Sequence, residues 1–199
     1  SRAALETLRQ PLEEREVTVS RVEASVTYPA NFQLVAAMNP CPCGHFPDRS
    51  RCRCTDGQIT RYLQKVSGPM LDRIDICVEA SPITYGDIRS SGNNESSREI
   101  RARVEQARKI QRERFAGENI RCNGEMSGRH IRKFCWLGRE EEKFMEEIFK
   151  KLALSARMHD RILKVARTTA DLAEEEKIRL ADLCEAVSYV KSRDKFWGN

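Results

Sequence analysis

The residues Gln33-Leu-Val-Ala-Ala-Met-Asn-Pro40 form an apolar run of strand length that ends on a side-chain amide and breaks at a proline. A continuous apolar run of this kind is typical of a strand buried on both faces, as in a parallel sheet. We therefore predict a core strand over residues 32–38. It would carry Asn39 to the edge of a sheet, where ligands bind outside the carboxyl ends of parallel strands.

The neighbouring sequence predicts more β-structure. Apolar residues alternate with polar ones in two nearby runs, at Val17 and Val19 and at Val26 and Tyr28. This period predicts a hairpin within residues 16–31, although no Asn-Gly turn joins the two runs. A second apolar run predicts another core strand over residues 74–80. A hairpin and two core strands are too few for a complete α/β sheet.

The rest of the chain is helical in pattern. Residues 82–97 are polar and rich in Gly, Ser and Asn, and they predict a linker. Beyond them, apolar residues recur at helical spacing in four or five segments. The fold class is therefore α/β plus all-α, with an incomplete α/β domain at 1–81, the linker at 82–97 and a four- to five-helix bundle at 98–199.

Composition narrows the class of protein. The chain has 199 residues, of which 40% are hydrophobic and 33% charged, and its formal net charge of +5 permits nucleic-acid binding without requiring it. No apolar run approaches the roughly 20 residues of a membrane span, and no secretory signal opens the chain. We therefore predict a cytoplasmic protein without a membrane partner. Because helix-like sequence is already under way at Ser1, we expect a piece of a longer protein.

Half of the eight cysteines are concentrated in one short segment. Cys41 and Cys43 form one Cys-x-Cys pair, and Cys52 and Cys54 form another. Four thiolates in this pattern suit a closed tetrahedral Zn²⁺ site, with His45 as a substitute for one sulfur. Free thiols, or a disulfide formed on purification, are the alternatives. Three arginines beside the thiols would lower the thiol pKa values.

Two residues next to the predicted core strands have side chains suited to phosphate chemistry. The amide of Asn39 can orient a water molecule against a phosphate, but an asparagine before a proline is also a common turn residue. Arg73 can project from a subunit surface and neutralise charge on the γ-phosphate of a neighbour. The alternative for Arg73 is an ordinary surface salt bridge with Asp72 or Asp75.

A third candidate lies in the helical region. Arg157 falls in the first turn of a helix that Ser155 opens, where a positive charge opposes the helix dipole. This mild penalty suggests that an anion belongs nearby, and the alternative is a solvated helix arginine.

Several distinctive motifs follow one another in order: the hairpin, Leu34-Val-Ala-Ala-Met-Asn-Pro-Cys-Pro-Cys-Gly44, Cys52-Arg-Cys54, Gly68-Pro-Met-Leu-Asp-Arg-Ile-Asp75 and Ser155-Ala-Arg-Met-His-Asp-Arg-Ile-Leu-Lys-Val-Ala-Arg-Thr168. In this order they resemble the C-terminal portion of magnesium-chelatase-like AAA+ ATPases of the ComM/YifB type. The resemblance extends from about Ala4 to about Val190.

The resemblance implies a role for each candidate residue toward ATP and Mg²⁺. Asn39 would be the sensor-1 residue, and Arg73 would be the arginine finger that acts on ATP held by the adjacent subunit. Arg157 would be the sensor-2 arginine of a helical lid. The expected assembly is a homo-oligomeric, hexameric ring.

The resemblance also implies a DNA partner. The hairpin at residues 16–31 would point toward the central pore of the ring, and Arg15 and Arg21 would contact DNA. Members of this group resemble DNA-translocating motors linked to natural transformation and recombination, whereas relatives in pigment synthesis insert magnesium into porphyrin.

One part of the family pattern is missing from this sequence. It contains no Gly-x-x-x-x-Gly-Lys-Ser/Thr loop and no apolar strand that ends in an acidic Walker-B pair. Family topology would place both upstream of Ser1. We therefore expect the parent protein to be an ATPase and this piece alone to be inactive, so whether the chain itself is an enzyme stays uncertain.

Two rival functions stay open at this point. Within the same class, the chain would belong to a metal-insertion subunit of the magnesium chelatase type. From another class, it would be a non-enzymatic, zinc-stabilised interaction module. The second rival gives no reason for Asn39, Arg73 and Arg157 to occur together in that order.

Overall fold

The computed structural model describes residues 2–89 and 95–197. Within them the elements follow in the order α1 (Arg2–Thr7), α2 (Arg9–Glu14), β1 (Glu16–Arg21), β2 (Ala24–Pro29), α3 (Asp56–Leu63), α4 (Gly68–Leu71), α5 (Tyr85–Arg89), α6 (Ser97–Arg114), a 3-10 turn (Asn123–Glu125), α7 (Gly128–Phe134), α8 (Arg139–Lys151), α9 (Ala156–Leu172) and α10 (Leu180–Trp197). The chain divides into two compact units. The first extends to Asp75 and includes the end of α10 from Arg193, and the second is Ile76–Ser192.

The predicted hairpin is confirmed. β1 and β2 pair in antiparallel register, and hydroxyl pairs of Thr18 with Thr27 and of Ser20 with Ser25 lie across the strands at 3.0 Å each. Apart from half-buried Val17, every residue of both strands is exposed. Backbone hydrogen bonds and cross-strand pairs, rather than burial, therefore hold the hairpin together.

The two predicted core strands are not formed. Residues 32–38 and 74–80 carry neither strand nor helix, and several of their apolar side chains are exposed, including Val35 at 84% and Val78 at 73%. A strand is held by hydrogen bonds to a neighbouring strand, and the hairpin is the one sheet in the described residues. The apolar pattern marks two segments suited to burial in a sheet, but neither segment pairs with a strand within residues 2–89 and 95–197.

The broader class is confirmed. A hairpin with short helices is consistent with part of an AAA+ core, and the longer helices from α6 onward are consistent with a helical lid. The short helix α5 lies inside the segment predicted to be a linker, while residues 90–94 of that segment fall outside the described residues. No helix in the described ranges combines the length and apolar character needed to cross a bilayer.

Local sequence explains where the long helices begin. Ser96 and Glu99 form a capping box at the start of α6, in which each side chain bonds the main-chain N–H of the other residue. Ser155 caps α9 by accepting from the N–H of Met158. The core of the second unit is built mainly from α9 and α10, whose Ile162 and Leu183 are fully buried.

A buried polar network lies inside the second unit. The carboxylate of Asp171 on α9 is inaccessible to solvent and accepts two hydrogen bonds from the guanidinium of Arg114 on α6. It also accepts from Nε of Arg167 at 3.1 Å and from Nδ2 of Asn123 at 2.8 Å. Arg167 further donates to two main-chain carbonyls that follow α9. The network therefore ties α6, the 3-10 turn and α9 together around one buried charge.

Candidate metal centre and nucleotide-site residues

The four clustered cysteines converge at one point in the first unit. Sγ of Cys41 lies 3.4 Å from that of Cys43 and 3.8 Å from that of Cys52, and the Cys43–Cys52 separation is 3.6 Å. With Cys54 included, all four sulfurs lie within 4.8 Å of one another. A tetrahedral zinc with Zn–S bonds of about 2.3 Å separates its sulfurs by about 3.8 Å, so the arrangement matches a four-thiolate site. None of the eight cysteines, all of which lie in the described ranges, forms a disulfide.

Main-chain N–H groups donate hydrogen bonds to Cys41 and Cys43 of the cluster. The N–H of Phe46 donates to Sγ of Cys41 at 3.4 Å. The N–H of His45 donates to Cys43 and is the largest influence that lowers the pKa of Cys43 to about 6. This donor favours the thiolate of Cys43, which is the form that binds metal, whereas burial raises the pKa of Cys52 and of Cys54. The sequence suggested neighbouring arginines as the cause of this shift, whereas its main source is a backbone donor. The His45 ring is exposed, and the ligand set consists of sulfurs alone.

The loop between the two cysteine pairs is held by its own hydrogen bonds. The carbonyl of Asp48 accepts from the N–H of Cys52 at 2.8 Å, and its carboxylate accepts from the N–H of Ser50 at 2.9 Å. Arg49 pairs with Asp56 at the start of α3 and lies over the ring of Phe46. These contacts bring the second cysteine pair back to the first.

A small hydrophobic cluster supports the cysteines. Cys41 and Cys52 are buried together with Ile59 and Leu63 of α3. Partly buried side chains pack against this group, namely Phe46, Cys54, Tyr62, Phe196 and Trp197. The cysteine loop, α3 and the end of α10 therefore share one core.

Asn39 directly precedes the cysteine loop. Its residue is exposed and lies outside any helix or strand. A Cβ atom at Gly44 would lie 3.7 Å from Nδ2 of Asn39, and Gly44 has a φ of +80°, a conformation that favours glycine. The turn after the first cysteine pair therefore passes beside the Asn39 amide.

Arg73 follows α4 and folds back onto its own chain. Its Nη1 donates to the carbonyl of Pro69 at 2.7 Å, and its Nη2 pairs with Glu13 of α2. The side chain is only 13% exposed. The sequence suggested either a projecting arginine or a salt bridge to Asp72 or Asp75, and the partner found in the structure is Glu13.

The remaining predicted arginines lie on separate elements. Arg157 is exposed in the first turn of α9, in the second unit. Arg21 ends β1 beside the turn of the hairpin and is exposed. Arg15 is half-buried between α2 and β1 with a φ of 60°, and its carbonyl accepts from the N–H of Ala30 at 2.7 Å.

The structure thus places Asn39, Arg73 and the four cysteines in one unit and Arg157 in the other. The roles of these residues in nucleotide and DNA binding stay predictions. Sequence reasoning missed Glu13 and Trp197, because each meets its partner across a long stretch of chain and no local pattern marks either residue.

Comparison with known proteins covers nearly the whole chain. The family model described as magnesium chelatase, subunit ChlI, matches residues 1–88, and the model described as magnesium chelatase, subunit ChlI C-terminal, matches residues 94–190. Competence protein ComM of Haemophilus influenzae is 42% identical over 189 residues, which are 94% of this chain and 36% of that protein. The uncharacterized protein YifB of Escherichia coli is 43% identical over 190 residues, again 94% of this chain and 36% of that protein.

A more distant relative shows the same coverage. An uncharacterized protein of Mycobacterium tuberculosis is 36% identical over 189 residues, which are 95% of this chain and 37% of the relative. The chain therefore spans little more than a third of the length of the curated relatives that it matches.

Proposed function

Because this chain belongs to the magnesium chelatase ChlI family of AAA+ ATPases, we propose that it works in a ring-forming ATPase that couples ATP hydrolysis to DNA remodelling or translocation, in recombination or natural transformation. ATP binds with Mg²⁺, and Asn39 orients the attacking water. Arg73 reaches ATP on the neighbouring subunit of a hexameric ring and offsets the charge that develops on its γ-phosphate. Arg157 contacts the nucleotide from the helical lid.

The likeness to a competence protein carries the proposal. It extends over 94% of this chain at 42% identity, so it includes the hairpin, the cysteine loop and the first turn of α9. Competence is the capacity to take up DNA, which favours DNA over a porphyrin as the partner. The exposed hairpin with Arg21 beside its turn supports the same choice, because an arginine there can meet a phosphate without desolvating a core.

DNA binding by this chain tests the proposal. Fluorescence anisotropy with a labelled single strand should show binding that weakens as salt rises, since phosphate contacts release counterions. Arg21→Ala should lower the slope of log K against log salt by about one. Arg98→Ala, at an exposed position of α6, is the matched control and should leave the slope unchanged. Equal slopes for Arg21→Ala and the unchanged chain would remove Arg21 from the DNA surface.

A metal-insertion subunit is the second candidate, favoured by the description of the matching family. In that case the chain binds no DNA at any salt concentration. Magnesium porphyrin synthesis in a reconstituted chelatase whose ATPase subunit joins this chain to a P-loop segment, with no anisotropy change on DNA, would establish this candidate and overturn the DNA motor.

The cysteine cluster adds a proposed cofactor. Four sulfurs within 4.8 Å of one another are compatible with a metal site, and Zn²⁺ is the ion whose preferred ligands and geometry they match. When bound, zinc supplies a closed structural centre and no chemistry. Elemental analysis of protein purified without chelator should find about one zinc per chain with four protected thiols. No metal, with the thiols of Cys41, Cys43, Cys52 and Cys54 equally reactive before and after chelator treatment, would refute the site.

A further inference from the structure

We infer that the zinc centre holds the C-terminal end of α10 against α3, so that metal occupancy and the packing of Trp197 are thermodynamically linked. The inference rests on the proposed zinc site and adds to it a role beyond the cysteine loop. Its parts all belong to the first unit, which contains the loop, α3 and the last residues of α10.

The first support is the shared hydrophobic cluster. Cys41 is fully buried and Cys52 is 9% exposed, and both pack with Ile59 and Leu63 on one face of α3. The rings of Phe196 and Trp197 pack against this same group. Cys41 and Cys52 would therefore bind the metal through their sulfurs while their side chains also belong to the hydrophobic cluster.

Directional contacts fix the helix end at the same place. The indole N–H of Trp197 donates to the carbonyl of Leu63 at 3.0 Å, at the last residue of α3. One turn earlier, Nη1 of Arg193 donates to the carboxylate of Asp72 at 3.1 Å. Together, an apolar contact, a hydrogen bond and an ion pair hold the end of α10 in one position.

Hydrogen bonds within the loop and the Arg49–Asp56 pair help to bring the two cysteine pairs together, but the loop has little apolar packing of its own. Between Cys41 and Cys54 the only large apolar side chain is Phe46, and an apolar core of that size contributes little. Four sulfurs brought within 4.8 Å have weak attraction for one another as thiols and repel one another as thiolates. A metal ion removes that repulsion, so its loss should free Cys41 and Cys52 to leave α3 and should uncover part of the surface on which Trp197 packs.

The experiment uses the two tryptophans of the chain, Trp136 and Trp197. In a Trp136→Phe background, acrylamide quenching of Trp197 should increase when a strong chelator removes zinc and should return when zinc is restored. In a Trp197→Phe background, quenching of Trp136, which is 55% exposed and belongs to the second unit, should not respond to zinc.

Linkage supplies a second measurement that does not require the metal-free protein to stay folded. If zinc binding favours packing of the helix end, then weakening that packing with Trp197→Phe should in turn weaken zinc binding. Competition with a chromophoric chelator should show zinc binding about fivefold weaker or more in Trp197→Phe, and unchanged in Trp136→Phe.

The outcomes are distinct. One zinc per chain with equal affinity in both tryptophan variants, and with Trp197 quenching insensitive to chelator, would overturn the inference and leave the zinc site standing. A chain that binds no zinc would overturn the zinc site itself and the inference with it.

Discussion

Glu13 and Arg73 form an ion pair that joins α2 to the turn after α4, across 60 residues of sequence. Arg73 also donates to the carbonyl of Pro69, and little of its side chain reaches solvent. The arginine proposed to act on a neighbouring subunit is therefore engaged within its own chain. To reach a phosphate it must exchange Glu13 for that phosphate, and this exchange leads to two predictions.

Arg73→Ala should abolish most ATP turnover in a protein that joins this chain to a nucleotide-binding P-loop segment. Arginine fingers contribute about 10³-fold or more to kcat, so kcat should fall by about that factor while KM for ATP changes little. Steady-state ATPase assays measure both constants. Arg9→Ala, which removes a half-buried pair with Glu6 on neighbouring helices, is the control and should retain turnover. Full activity of Arg73→Ala in an intact ring would contradict the finger role.

Glu13→Gln should raise kcat. The substitution removes the charge that competes with phosphate for Arg73. Because Glu13 is half-exposed and Arg73 mostly buried, the pair should contribute near the upper end of the roughly 0.2–1 kcal/mol of surface pairs, which corresponds to an increase of about fivefold. The gain should vanish when Arg73→Ala is added, because both changes act through one guanidinium. A fall in kcat would mean instead that Glu13 orients Arg73 for the reaction.

Asp171→Ala should strongly destabilise the helical unit. The substitution leaves Arg114 and Arg167 facing each other without the buried carboxylate between them, and breaking a buried ion pair in this way costs about 3–5 kcal/mol. Urea unfolding followed by circular dichroism measures the loss. Glu146→Ala removes an exposed pair with Lys150 on α8 and should change the unfolding free energy by less than about 1 kcal/mol. Equal effects of the two substitutions would show that the network adds little to stability.

Gly44→Ala should weaken zinc binding and destabilise the first unit. Gly44 has a φ of +80°, and an alanine in that region costs about 1–2 kcal/mol. Its methyl group would also meet the amide of Asn39. Gly57→Ala in α3 is the matched control, since its Cβ would meet open space and alanine favours the helix by about 0.5–1 kcal/mol. Thermal unfolding and chelator competition on both variants measure these effects. A Gly44→Ala variant as stable as the Gly57→Ala variant would show that the backbone at Gly44 tolerates alanine without strain.

Local chemistry made much of the fold predictable from sequence. The helix starts at Ser96 and Ser155 follow from side chains that satisfy main-chain N–H groups within three residues. The hairpin follows from the alternation of apolar and polar residues, and the clustering of four thiols follows from two closely spaced cysteine pairs. In each case the interacting groups are close together in the sequence. The cysteines are also a residue type whose closely spaced pairs are typical of metal sites.

Tertiary structure alone decided the rest. The runs at residues 32–38 and 74–80 are suited to a sheet, but a strand exists only beside another strand, and a sequence pattern does not supply the partner. The same holds for the pair of Glu13 with Arg73 and for the hydrogen bond of Trp197 to Leu63, whose members lie 60 and 134 residues apart. Contacts over such distances depend on how the whole chain closes upon itself, because no local propensity encodes which remote group will arrive.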